Sequence, residues 1–527
     1  MKRIIFIISA IFIIVLNFYS CSKVKQNDTQ EIKSQVQSTD KEDISRQDQY
    51  KVEIDKYTAI IQTNPEDTVA YRNRGIAYSM QGNYDLALAD FNAALKINPK
   101  YEDAYNGRGL VYYSQKNYDL AIADFNTALQ INSKYYKAFN NRGLVYTALG
   151  NYDSAIADYS SAIQINPQLA ELYVSRGSVY TKLGKYELAL ADYNIAIQLN
   201  PKLVNAYCGR GMVYRYQKNY DLSIADYNSS LQINPQCLEA FINRGGVYGE
   251  QRSYDLAIAD YTSAIQIDPN IAMAYFGRGM IYFLQKNYNL ALADYNSALK
   301  LNPLYADAYT NRGHIYNEQG NYDLAIIDYN STLLINPQDA ETYGNRGKTY
   351  LKIGNYDSAI KDFNIAIQIN PKDEIALSNR GTAYKEQGEF DLAIADYISA
   401  LSINPQDAEV YYNRGIVYYS QKNYELAIAD YNKAIELNPQ YIDAYINRGS
   451  VYMVEGNYDS AIANYSAVIQ MNPKLAMVYY NRGFAYAKKN DKISATHDWE
   501  KTIELDPNGP AGQNAKQILQ KLKVSGY

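Results

Sequence analysis

The sequence predicts an all-α solenoid, a stack of helix–turn–helix units, on three observations. An Arg-Gly dipeptide returns every 34 residues, thirteen times, from Arg74-Gly75 through Arg108-Gly109 to Arg482-Gly483. Small and aromatic residues around each dipeptide recur at helical spacing. A proline then closes the unit, as at Pro99, with Ser133 the one exception. A strict period of this length marks identical supersecondary units that bury a shared core by stacking. The array covers residues 68–509 of the 527, which leaves little chain for any other domain.

Within a unit, Tyr71, Arg74, Gly75 and Tyr78 form one stripe of a first helix. Asn83 and Tyr84 mark the turn. Ala87, Asp90, Phe91 and Ala94 follow at i, i+3, i+4, i+7, the pattern of a second amphipathic helix. Asn98-Pro99 stops it, because proline cannot continue a helix and restrains the residue before it. Residues 44–67 read as a leading helix or decayed half-repeat. At the other end, residues 510–527 read as a capping helix with Ala515, Ile518, Leu519 and Leu522 on one face and Lys516, Gln520 and Lys523 on the other. A solenoid needs such a solvating end.

The amino terminus has the layout of an export leader. Lys2 and Arg3 precede an apolar run from Ile4 to Leu16, interrupted by Ser9. That run is shorter than the roughly 20 residues that a spanning helix needs. Phe18-Tyr19-Ser20-Cys21 resembles the lipobox of bacterial lipoproteins, with Phe18 departing from the usual Leu. The resemblance implies residues 1–20 as a signal peptide and lipid attachment at Cys21. Residues 21–43, rich in Lys, Gln, Asp, Ser and Thr, then form a flexible tether. An ordinary cleaved leader and an uncleaved anchor remain the alternatives. Lipidation would place the chain in a bacterial cell envelope, lipid-anchored and facing the periplasm or the surface.

The repeat resembles the tetratricopeptide repeat, whose pattern of Gly, Tyr, Ala, aromatic, Ala and Pro is met by Gly75, Tyr78, Ala87, Phe91, Ala94 and Pro99 and their equivalents. Departures are few: Ser223 for Ala, Leu377 for the first aromatic, Lys492 for the turn Tyr and Trp499 for the helix aromatic. The resemblance implies a right-handed superhelix with ligands in a concave groove lined by the first helices.

Two rows of polar residues run through this pattern. The family commonly has Leu where Arg74 and its equivalents stand. Asp recurs sixteen residues after each Arg, with Asn464 the single exception. This co-occurrence predicts an ion pair across a helix seam, within one repeat or to the next. The Arg shares a stripe with the packing Tyr and Gly, so its role is read as structural.

The residue just before the Arg is Asn in nine repeats: Asn73, Asn141, Asn243, Asn311, Asn345, Asn379, Asn413, Asn447 and Asn481. An amide offers donor and acceptor together and so matches a peptide bond. First helices of neighbouring repeats should lie roughly 10 Å apart, and an extended chain advances about 3.3 Å per residue. Each Asn would thus meet a guest backbone about every third residue. The row resembles the peptide-holding ladder in the repeat region of O-linked N-acetylglucosamine transferase. The alternative is that Asn was merely copied along with the repeat.

Five residues before the Arg stand Asp103, Glu171, Glu239, Asp307, Glu341, Glu409 and Asp443, with Lys137 the only base. A neutral or basic extended guest suits such a groove better than an acidic tail, although Lys348, Lys352 and Lys385 make a local positive patch.

Little supports other chemistry. The net charge of −5 lacks the basic footprint of a nucleic-acid binder. The only histidines, His314 and His497, are far apart, and no triad, phosphate loop or metal cluster appears. Cys208 and Cys237 read as free thiols, with a bridge between them as the less favoured reading. The expectation is a non-enzymatic, membrane-tethered scaffold that binds proteins or extended peptides. No catalytic residue, metal, cofactor, nucleic acid or small-molecule substrate is expected. The alternative is a structural envelope protein acting by self-association or cell-wall contact through its tyrosines.

Overall fold

A computed structural model describes residues 49–524 of the chain, with side chains through Leu522. The leader, the tether and Cys21 lie outside the described residues. Thirteen helix pairs follow one another, from Thr68–Met80 with Tyr84–Ile97 to Ala476–Lys488 with Lys492–Leu505. A last helix spans Pro510–Val524. No strand occurs among the described residues, and no described helix is long and apolar enough to cross a membrane. The chain divides into two compact units between Pro303 and Leu304. The first holds seven repeats and the second six.

Local chemistry explains the boundaries. Asp67 caps the first repeat's leading helix by accepting from Ala70 N at 2.9 Å. Between the two helices of every repeat the chain passes through one left-handed residue. It is Gly in seven repeats, such as Gly82 at φ +81°, and Lys, Arg or Asn in six, such as Lys116 at φ +61°. The trailing helix stops at Asn98, held extended at φ −125°, ψ 94° by the proline after it.

Each leading helix packs on its own trailing helix, and within each unit each trailing helix packs on the next leading helix. The centre of a repeat is a fully buried ring with two buried alanines: Phe91 with Ala87 and Ala94 in the first, Phe363 with Ala359 and Ala366 in the ninth. The ring takes the space a side chain would fill on the leading helix. A Cβ on Gly109 would stand 2.7 Å from Phe125, and one on Gly347 2.8 Å from Phe363. Only glycine permits that approach.

At the ends of the array, residues 49–63 are helical and offer Thr58 Oγ1 to Arg74 Nη1 at 3.1 Å. Thr58 stands sixteen residues before its Arg, the place a trailing helix fills elsewhere. In the second unit, Ile518, Leu519 and Leu522 of the last helix pack on Trp499 and Ala495, with Ala515 fully buried among them.

Candidate functional site

The Arg row is a clamp. In twelve repeats the guanidinium grips the Asp of its own trailing helix through two bonds. Arg74 Nε donates to Asp90 Oδ2 at 2.8 Å and Nη2 to Oδ1 at 2.7 Å, and Arg482 repeats this on Asp498. The acids are buried, Asp328 and Asp498 to 1% exposure. The pairing expected from the sequence therefore lies within the repeat.

A third bond was not foreseen. Nη1 reaches back to the preceding repeat's trailing helix, as in Arg176 to Ser160 Oγ at 3.0 Å, Arg210 to Asn194 Oδ1 at 2.6 Å and Arg278 to Thr262 Oγ1 at 3.0 Å. An Arg with this third bond ties three helices together and fixes the register of neighbouring repeats; Arg414, with Ile398 sixteen residues before it, keeps only its two bonds to Asp430. The third bond's signal in the sequence was the Asn, Ser or Thr directly after the trailing-helix aromatic, present in all repeats but those with Ile398 and Glu500.

Repeat twelve differs. Arg448 meets the neutral Asn464 Oδ1 at 2.9 Å, and burial pulls its guanidinium below the ordinary Arg range. In Arg380, the hydrogen bond to Asp396 pushes the guanidinium up.

The Asn row lies on the leading helices, which within each unit touch the leading helix of the next repeat at most seams. Within each unit, no described trailing helix makes a comparable contact with the next trailing helix. Eight of the nine asparagines are half-buried. The exception is Asn243, 3% exposed, with its Oδ1 buried and unbonded.

Several amides already have partners in the chain. Asn141 donates to Asn106 Oδ1 at 2.8 Å, and Asn447 to Tyr412 Oη at 3.1 Å, each a link to the preceding repeat. Asn345 Nδ2 stands 3.0 Å from His314 Nε2, which accepts when the ring is neutral. Asn311 and Asn379 donate to backbone carbonyls four residues back, Asp307 O and Ile375 O. Asn73 accepts from Arg72. Asn413 and Asn481 are half-buried on the same helix position. The row is thus a string of half-exposed amides, several of which use one polar atom internally.

The surrounding charges are also partly engaged. Asp103 pairs with Arg72 at 3.1 Å and accepts from Tyr135. Glu171, Glu409 and Asp443 are exposed. Burial pushes Asp307 and Glu341 above the usual carboxylate range, with Asp339 adding to both. The expected lysine patch is divided. Lys352 donates to Asn317 at 3.0 Å, Lys385 pairs with Glu386, and burial lowers Lys348. Burial also lowers His314 to about 4.

Tetratricopeptide repeat models match residues 204–237, 306–339, 340–373 and 408–441. A related repeat model matches 143–184, 177–215, 279–320, 381–422 and 449–490, and others match 55–102, 72–136, 238–271 and 430–463. The chain belongs to the tetratricopeptide repeat family.

Comparison with curated proteins gives no match. Among solved structures, the chain is similar to the APC/C hetero-tetramer Cut9-Hcn1, 16% identical over 84% of this chain and 94% of that one, with a TM-score of 0.45. It is similar to a tetratricopeptide repeat protein from Parabacteroides merdae, 22% identical over 47% and 98%, with a TM-score of 0.41. It is also similar to MamA, 27% identical over 32% and 92%, with a TM-score of 0.31.

Tetratricopeptide solenoids are in general non-enzymatic scaffolds for protein–protein interaction. In this tetratricopeptide chain the signature Gly, Ala, aromatic and Ala positions are buried, as at Gly75, Ala87, Phe91 and Ala94, while Tyr78 is half-buried and Pro99 exposed.

Proposed function

We propose that this chain is a lipid-anchored scaffold of a bacterial envelope, which holds extended segments of partner proteins on its leading helices and so assembles or positions them. One observation carries the reading: in all six repeats of the second unit a half-buried Asn occupies the same position, from Asn311 to Asn481. An amide at a fixed position can offer a donor or an acceptor to a guest backbone without reading its sequence. The neighbouring Glu409 and Asp443 are exposed and favour a neutral or basic guest. The anchor is the lipid on Cys21.

Affinity capture from membranes with the full chain, followed by identification of the bound proteins, tests the scaffold reading. Capture should fall when Asn345, Asn379 and Asn413 are changed to Ala, and unchanged capture would contradict it. The anchor has its own test: Cys21→Ser should release the chain from membranes and abolish fatty-acyl labelling.

A second reading draws on the exposed leucines at the start of most trailing helices, such as Leu86, Leu120 and Leu256. These favour self-association, which sedimentation of the chain would reveal as species larger than the monomer.

A further inference from the structure

Two of the chain's three cysteines occupy the two sides of one inter-repeat contact. Cys208 stands two residues before Arg210 on the leading helix Val204–Tyr216, and Cys237 is the residue that opens the next leading helix, Leu238–Glu250. Their sulfurs are 3.9 Å apart, and both residues are buried, at 1% and 7% exposure.

The equivalent pair of positions is in contact in other repeats and carries other chemistry there. Arg72 Nε donates to Tyr101 Oη at 3.2 Å. The rings of Tyr412 and Tyr441 lie 4.9 Å apart. Ile242 and Ile271 share one apolar cluster. The fold therefore presses these two positions together in those three repeats, and in the fifth repeat it presses two thiols together.

We propose that Cys208 and Cys237 are a redox-active thiol pair that closes to a disulfide staple across the seam between the fifth and sixth repeats. A disulfide bond is about 2.0 Å long, so closure asks the sulfurs to approach by roughly 1.9 Å, within the reach of a side-chain rotation. The oxidant is a small-molecule disulfide.

Cys237 is the attacking group. Its contact with Cys208 pulls it below the ordinary thiol range, and the backbone N–H groups of Ala240 and Glu239 act in the same sense; the Cys208 thiol also lies 3.3 Å from Ser230 Oγ, to which it donates. The same contact, with burial, pushes Cys208 up. The Glu239 carboxylate opposes ionisation of both. The Cys237 thiolate attacks one sulfur of the oxidant, whose S–S bond breaks, and the departing thiolate takes up the proton that Cys237 gave up. Cys208 then loses its proton and attacks the Cys237 sulfur of the mixed disulfide. The second thiolate leaves and is protonated. Two protein thiols are oxidised to one disulfide, and one oxidant disulfide is reduced to two thiols.

The staple encloses the trailing helix Tyr220–Ile233 and ties its repeat to the next. It thereby restricts local opening at that seam.

The test uses the full chain with Cys21→Ser, so that only the pair is titratable, and glutathione disulfide as the probe. Thiols counted after unfolding should fall from two to none, and the monomer should lose about 2 Da. Amide exchange in the helix Leu238–Glu250 should slow about tenfold or more. In Cys208→Ser, a single glutathione adduct should persist on Cys237. Retained thiols, a persistent adduct on the unaltered pair or disulfide-linked dimers would overturn the pair. Unchanged exchange after oxidation would overturn the staple.

Discussion

The seven repeats that end at Pro303 and the six that follow share one scaffold but differ at the residue before the Arg. In the first unit that residue is Asn three times, Gly three times and Ser once; in the second it is Asn throughout. The glycines show what the position costs. A Cβ at Gly107, Gly209 or Gly277 would stand 2.4 to 2.5 Å from the ring of Phe91, Tyr193 or Tyr261 in the preceding repeat. Asn243, also in the first unit, is buried. The position is therefore partly a seam, and in the first unit packing has claimed more of it. The second unit keeps a half-buried amide at every step, which is why the guest-binding proposal rests there.

The largest expected effect is one the two units should share. Arg210→Leu in the first and Arg312→Leu in the second each leave a buried, unpaired carboxylate, Asp226 or Asp328. Each should lose about 3–5 kcal/mol of local stability, read by segment-resolved amide exchange. Clearly unequal losses would mean that the clamp does not serve both units alike.

Acid should separate the units. Burial lowers His314 of the second unit from 6.5 to about 4. A base whose folded pKa is depressed binds fewer protons when folded than when unfolded. Its contribution is therefore complete above about 6.5 and is lost as pH falls towards 4. A loss of about 2 kcal/mol is expected in the eighth and ninth repeats, visible as lower amide protection factors there at pH 4.5 than at pH 7, and removed in His314→Gln.

The seam argument is sharpened by exchanging the residues. Gly277→Asn should cost about 2 kcal/mol by forcing a side chain against Tyr261, whereas Asn379→Gly should cost no more than the roughly 1 kcal/mol of a helical glycine. Thermal unfolding of the two variants would show the asymmetry. The smallest effect concerns repeat twelve. Asn464→Asp supplies Arg448 with the carboxylate that the other repeats have, and should raise local stability by about 1 kcal/mol.

The fold was legible because its signals are local and repeated: helical spacing, a closing proline, and a glycine wherever a ring must approach. The last helix was legible from its apolar stripe. The Arg–Asp pair could be foreseen from co-occurrence, but its reach to the preceding repeat could not. A perfect period cannot distinguish a partner in the same repeat from one in its neighbour, since both recur at every step. The same blindness made a bridge between Cys208 and Cys237 the less favoured reading, although they are 29 residues apart in sequence and 3.9 Å apart at their sulfurs. It also hid the internal bonds of Asn141, Asn345 and Asn447, which depend on which side chain the preceding repeat happens to offer.

The most direct test of the central proposal compares the two units in one binding experiment. The full chain, a variant with Asn345, Asn379 and Asn413 changed to Ala, and a variant with Asn73, Asn141 and Asn243 changed to Ala are applied to an array of unstructured peptides of neutral, basic and acidic sequence. The unaltered chain should retain neutral and basic peptides. The second-unit variant should bind about tenfold or more weakly, the equivalent of about 1.4 kcal/mol, and the first-unit variant should stay within about twofold. Equal binding by all three, or a loss confined to the first-unit variant, would contradict the proposal.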